Sequence, residues 1–284
     1  MLKQRVITAL VLLGILLPAV LYPSFIPFGV VSLILIAACG WEWGRLNGAG
    51  ATGAWVMGLG CAVACGGAWS AGALLLELPS LWLAVGAFWV LAGSWLLHSG
   101  VAAWGKIPAW FRLGGGLVAL VVAWIAVMQA RIASVNFLFS VLALVWVADI
   151  AAYFAGKAMG GRLFRRRLAP GISPGKTWEG ALGGMMGVVL LSLLWVAGDA
   201  SLGDHPPSLY TVLAQRGLAW MVVCVLFLGA MSVVGDLAES LFKRSAGVKD
   251  SSGLLPGHGG VLDRLDALLP TLPLALMLTS WGGA

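Results

Sequence analysis

Nine stretches of mainly apolar residues follow one another along this 284-residue chain, at approximately 6–22, 26–43, 53–76, 79–98, 114–131, 135–156, 178–198, 215–237 and 265–282. About 20 such residues are needed for a helix to cross the hydrocarbon of a bilayer. Lipid offers no hydrogen bonds, so each span must satisfy its own backbone. The pattern therefore predicts an all-α fold, a polytopic transmembrane helical bundle of about nine spanning helices. The breaks are supplied by Pro23, Asn47 with its neighbouring glycines, Pro79, Pro108, Ser134 and three more polar segments at 157–177, 199–214 and 238–264. Composition excludes a water-soluble domain: 61% of residues are hydrophobic and 10% charged, against about 25% charged in soluble proteins. Fifteen Trp and forty Gly suit membrane interfaces and close helix packing. The opening MLKQRVITALVLLGILLPAVLY starts like a signal peptide, but its apolar run is long and no clear A-x-A site follows. It is read as a retained first transmembrane helix.

The net charge of +6 would raise nucleic acid as a partner in a soluble protein. Here the placement of the charges decides. With the N-terminus in the cytoplasm, fifteen of the seventeen Lys and Arg fall in inside segments, and only Arg131 and Arg216 fall outside. That asymmetry is the positive-inside signature. Membrane lipid is the expected partner, with no nucleic acid and with the polar loops facing the cytosol. Acidic residues are scarce before Asp149, where Glu42 and Glu77 stand alone. Residues 1–132 are accordingly expected to form a scaffold of N-terminal transmembrane helices. Residues 133–284 are expected to form the catalytic transmembrane region, with its active-site loops in the cytoplasm. The four cysteines, Cys39, Cys61, Cys65 and Cys224, lie in apolar runs without CxxC spacing. They read as small apolar residues within a bundle, not as a disulfide framework or zinc site.

Ionisable groups near hydrocarbon depth are costly and point to function. Asp149 ends the sixth run in VWVADIAAYFAGK, with Tyr153 four residues on and on the same face. The loop GKAMGGRLFRRRLAPGISPGKTWEG follows. Its Arg165, Arg166 and Arg167 serve either as a topology signal or as a surface for anionic headgroups. Gly175-Lys176-Thr177 is not a Walker loop, because Pro170 stands where the first glycine belongs and no strand precedes it. Ser173, Lys176 and Thr177 nevertheless place an ammonium, two hydroxyls and backbone N–H groups just ahead of a helix, an arrangement that suits phosphate. In VVGDLAESLFKRSAGVKDSSG, Asp236, Glu239 and Lys243 share one helix face at i, i+3 and i+7. A surface pair between Glu239 and Lys243 is the plain alternative for those two. In LLPGHGGVLDRLDALLP, Asp263 and Asp266 stand at i, i+3 around Arg264. Two carboxylates so placed repel unless a cation lies between them, and with Asp236 and Asp149 they suggest a hard oxygen site suited to Mg²⁺. Pro256-Gly257-His258-Gly259-Gly260 is a permissive turn. His258 reads there either as ordinary polar loop or as part of a phosphate cradle.

The run from Ser240 to Asp266, SLFKRSAGVKDSSGLLPGHGGVLDRLD, resembles the signature of the phosphatidate cytidylyltransferase family. Ala148–Gly156, Ile172–Gly180 and the GDLAES segment from Gly235 resemble its other motifs. Ser252 stands where members often have glycine directly after Lys-Asp-Ser, with length preserved. The resemblance implies Mg²⁺-dependent transfer of CMP from CTP to phosphatidate with release of pyrophosphate. Carried onto this chain, it implies Asp236 and Asp263 as leading metal ligands and catalytic groups, with Lys249 and Arg264 beside them. Asp149 is a further ligand candidate. Ser173, Lys176, Thr177, Lys243, Arg244, His258 and Asp266 are implied as substrate-binding, and a second cation remains an option. A bacterial inner membrane is the expected localisation, since the chain is compact and shows no organellar targeting segment. Two rivals are weighed. A secondary transporter would carry its charges at the midplane and show an internal repeat, and neither is found. A CTP-dependent lipid kinase would release CDP instead. The GxxxG pairs at 156/160, 180/184 and 183/187 suit packing within one chain or a homodimer seam.

Overall fold

The computed structural model describes residues 2–203 and 205–280. Among these residues it contains twelve α-helices and no strand: α1 (Leu2–Leu21), α2 (Ile26–Leu46), α3 (Gly50–Ser70), α4 (Pro79–Ser99), α5 (Val101–Trp104), α6 (Ala109–Ala133), α7 (Val135–Met159), α8 (Trp178–Leu202), α9 (Leu209–Ala214), α10 (Leu218–Ser245), α11 (Leu262–Leu265) and α12 (Leu268–Ser280). Eight of them, α1–α4, α6–α8 and α10, are long and apolar enough to span a membrane. They match the first eight predicted runs. The ninth run becomes α12, with thirteen residues described, and its last two predicted positions, 281 and 282, lie outside the described residues.

Helix ends follow local chemistry. Pro79 opens α4, where its missing N–H costs nothing because the first turn has no partner to offer. Ser134, Thr177 and Ser208 cap α7, α8 and α9, each accepting a backbone N–H three residues on. α10 runs eight residues past the predicted end of its apolar stretch, so Asp236, Glu239, Lys243 and Arg244 all belong to one continuous helix. Large apolar side chains such as Leu10, Ile34, Leu59, Leu91 and Met186 point outward. In water, exposing so many large apolar side chains would be costly; against acyl chains they are at home.

The chain forms two compact units that interleave in sequence. The first comprises Met1–Glu77, Val101–Ile132 and Phe242–Asp266. Inside it α2 and α3 approach closely along small residues. A Cβ on Gly40 would meet Cys61 Sγ at 2.6 Å, and one on Gly44 would meet the Ala54 Cα at 2.8 Å. Cys39, Cys61 and Cys65 are buried there as small core residues. Arg131, itself buried, donates from Nε to the Val20 carbonyl at 2.7 Å and from an Nη to Tyr22 at 2.6 Å. It thereby satisfies carbonyls left open at the end of α1.

The second unit comprises Leu78–Gly100, Ala133–Leu241 and Ala267–Ala284. Its densest packing joins α7 to α8. A Cβ on Gly180 would strike the Ala152 carbonyl at 2.9 Å and one on Gly184 the Ala148 carbonyl at 2.8 Å, while Gly183 and Gly187 lie against Ala155 and Ala151. The glycine pairs at 180/184 and 183/187 are thus used for packing inside one chain. At the far end of α8, buried Asp199 accepts from Asn136 Nδ2 (3.1 Å), Ser208 N (3.1 Å) and Thr211 Oγ1 (2.5 Å). It ties α7, α8 and α9 together.

Candidate active site

The polar residues singled out by sequence gather in two clusters, one in each unit. In the second unit, α10 carries Asp236 at its partly exposed face, and Lys176, from the turn ahead of α8, reaches it with Nζ 2.5 Å from Oδ2. Ser240, one turn on, donates to Asp236 Oδ1 at 3.4 Å. The turn that delivers Lys176 is closed by its own backbone. Ser173 N–H donates to Ala169 O at 2.8 Å, Lys176 N–H to Ser173 O and Leu168 N–H to Lys176 O, each at 3.1 Å. The N–H groups of Ser173 and Lys176, expected to be free, are therefore committed. The Thr177 hydroxyl is buried and accepts from Gly180 N–H at 3.0 Å as the helix cap. Glu179, buried in the first turn of α8, holds the basic loop. Its Oε1 accepts the N–H groups of Gly161, Leu163 and Phe164, all at 3.0 Å. Arg162, Arg165, Arg166 and Arg167 are thereby presented to solvent from an ordered backbone. Asp149 lies exposed on α7 with Tyr153 also exposed, and Lys157 Nζ sits 5.9 Å from the Tyr153 ring.

In the first unit the cluster centres on Asp263. Lys243 Nζ donates to Oδ1 at 2.6 Å. Oδ2 accepts three bonds, from Ser251 N (3.0 Å), Ser251 Oγ (3.0 Å) and Gly260 N (2.8 Å). One ammonium and three further donors thus fix the direction of this carboxylate. The turn at Leu255–Gly259 is closed by Leu255 N–H to Gly259 O and His258 N–H to Leu255 O. Gly257 and Gly259 both adopt positive φ, which glycine alone tolerates freely. At Gly259 a side chain would also meet Asp263 Oδ2 at 2.7 Å. Arg264 folds back onto this turn, donating to the His258 carbonyl from Nε (3.2 Å) and an Nη (2.5 Å). His258 Nδ1 is buried without a hydrogen-bond partner among the described residues. Thr8 of α1 donates to the Pro256 carbonyl at 2.9 Å, so the first helix also grips the turn. Arg244 and Lys249 are exposed, and Asp266 follows α11 as its C-terminal cap residue.

Comparison with known proteins decides the lineage of this arrangement. A sequence model of the Cytidylyltransferase family matches residues 3–281. The chain belongs to that family. It is 39% identical, over 99% of both chains, to the phosphatidate cytidylyltransferase of Pseudomonas aeruginosa. Over about half its length it is 44% identical to the enzyme of that name from Haemophilus influenzae, covering 42% of that protein, and 35% identical to the one from Bacillus subtilis, covering 47%. As a cytidylyltransferase-family protein, the chain places Lys243, Asp263, Arg264 and His258 in one unit, and Lys176 with Asp236 in the other. Glu239 is buried on α10 where a surface position was the plain alternative. Among the described residues no group of three or more His, Cys, Asp and Glu side chains is disposed to hold a metal ion.

One participant was not picked out by sequence reasoning. Glu42, in the second helix, is fully buried and accepts from Ser251 Oγ (3.2 Å), Val261 N (2.9 Å), Leu262 N (2.7 Å) and Ser252 Oγ. The available signal was an acid inside an otherwise apolar run. It was passed over because the front helices were read as scaffold.

Proposed function

We propose that this chain is a phosphatidate cytidylyltransferase. In that reaction a phosphate oxygen of phosphatidate attacks the α-phosphorus of CTP. The new P–O bond forms as the bond to the β-phosphate breaks, giving CDP-diacylglycerol and pyrophosphate. The observation that carries this reading is the full-length 39% identity to a protein of that name. The Lys-compensated aspartates supply the chemistry it needs. The attacking phosphate has a second pKa of about 6, as in phosphomonoesters generally, and is mostly ionised at neutral pH. A strong general base is therefore unnecessary, and the task is to bring two anions together. Electrostatic compensation and positioning are the effective means.

Lys243 and Lys176 pair with Asp263 and Asp236, and an ammonium on a flexible stem re-aims readily toward arriving phosphates. Exposed Arg244, Lys249 and Arg264 add positive charge where the nucleotide triphosphate has to settle. Gly259 leaves the Asp263 carboxylate uncrowded, since a Cβ there would come within 2.7 Å of Oδ2. Mg²⁺ characteristically binds one or two carboxylates and takes its remaining ligands from water and substrate phosphate. Asp263 and Asp236, each within its own unit, offer a single lysine-paired carboxylate of that kind. Bound there, Mg²⁺ would neutralise phosphate charge. Ser251 and Gly260 keep Asp263 aimed as the Lys243 ammonium turns toward phosphate. We place the protein in a bacterial inner membrane with these clusters toward the cytosol, on the fifteen-to-two split of its Lys and Arg.

The test is a product assay on purified protein in liposomes with CTP, phosphatidate and Mg²⁺. Equal amounts of CDP-diacylglycerol and pyrophosphate are expected, both abolished by chelation. Well-folded protein that yields neither, across several acyl chains and divalent ions, contradicts the proposal.

A further inference from the structure

We infer that Glu42 is a positioning residue for the Asp263 centre: a carboxylate of the second helix that sets the conformation of the signature loop and, through Ser251, the aim of Asp263. The inference rests on the cytidylyl-transfer reading above. Burying a carboxylate is costly unless its lone pairs are filled, and here all four bonds come from one loop. Ser252 Oγ and Val261 N–H fall on Oε1; Ser251 Oγ and Leu262 N–H fall on Oε2. Residues 251–252 and 261–262 are the two ends of the glycine-rich turn, so one side chain pins both.

The coupling to Asp263 is direct. The Ser251 hydroxyl lies 3.2 Å from Glu42 Oε2 and 3.0 Å from Asp263 Oδ2. It has a single proton, and that proton serves both carboxylates. Gly260 closes the arrangement. A Cβ there would collide with Ser251 Oγ and Glu42 Oε1, while its N–H is the donor to Asp263 Oδ2 at 2.8 Å. The glycine is thus required by the close approach of Ser251 and Glu42. Glu42 is closed to solvent and shares the Ser251 hydroxyl with Asp263, which directs its effect to the aim of Asp263 and not to substrate contact.

The test compares Glu42→Gln, Asp263→Asn and the double variant in liposomes. Glu42→Gln keeps the side-chain volume but turns one acceptor into an amide that faces two donors. The expected result is a fall in kcat of about 30-fold or more with KM for phosphatidate within about twofold, since the lipid contacts are untouched. The double variant should lie within about threefold of Asp263→Asn alone, because residues acting through one another are not additive. A kcat within threefold of wild type overturns the inference. So does a double variant that loses the product of the two single effects, as a general packing defect would give. If Glu42→Gln is not recovered folded, Ser251→Ala carries the same test. It deletes only the shared hydroxyl, and the inference expects about tenfold lower kcat, again absorbed by Asp263→Asn; unchanged kcat refutes it. Wild type in the same preparation separates the two levels, because an inactive, folded wild type sinks the cytidylyl-transfer reading itself.

Discussion

Asp263 sits at the meeting point of three segments of its unit, the end of α10, Ser251 and the glycine-rich turn. An ammonium, a hydroxyl and two backbone N–H groups converge on its two oxygens. Asp263→Asn removes the charge while keeping the shape, and turnover should fall at least 100-fold, the scale seen when one preorganised electrostatic group is lost. Size-exclusion behaviour and helical content should stay unchanged. Lys243→Met should act differently. It leaves a buried carboxylate uncompensated, so both thermal stability and kcat/KM for CTP are expected to drop, the latter by about tenfold or more, measured by initial rates over a CTP series. The aspartates and lysines were legible in sequence because a charge beside hydrocarbon is conspicuous. Their pairing was not: Lys243 could be read against Glu239 on the same helix, and only the return of the chain at 263 shows where its ammonium goes. Glu42 lies 209 residues from Ser251, and no helical periodicity links positions so far apart.

At the scale of elements, the spans were readable because lipid imposes length and polarity on every helix independently. Caps were readable too, with Pro79, Pro108 and Ser134 marking starts. The loops were not, since their conformation is set by buried acids from elsewhere. Glu179 holds Gly161–Phe164 with one oxygen. Glu179→Ala should release that loop, and trypsin should cut at Arg162–Arg167 about tenfold faster while the rest of the chain stays protected. Equal cleavage rates would show that the loop is ordered by something else. Asp199 does the same work at the opposite end of α8. Asp199→Ala strands donors on Asn136, Ser208 and Thr211, and should cost about 2–3 kcal/mol, read as a lower melting temperature with the catalytic rate at low temperature preserved.

For the molecule as a whole, charge asymmetry predicts orientation. All four native cysteines are buried, so a single added thiol can report sidedness. Arg166→Cys should react with a membrane-impermeant maleimide in inverted vesicles and not in intact cells, and Ser201→Cys should do the reverse. Charge density rises after residue 132, yet packing joins the first helices to Phe242–Asp266, and hydrophobicity alone says nothing about which apolar helices become neighbours. Cytidylyl transfer and terminal-phosphate transfer send different phosphorus atoms of CTP into the lipid. Purified protein in phosphatidate liposomes should be supplied in parallel with CTP labelled at the α- or the γ-phosphorus. Label from the α position in the lipid fraction, with γ label leaving as pyrophosphate, is the predicted result. Label from the γ position in lipid, with CDP released, would contradict it.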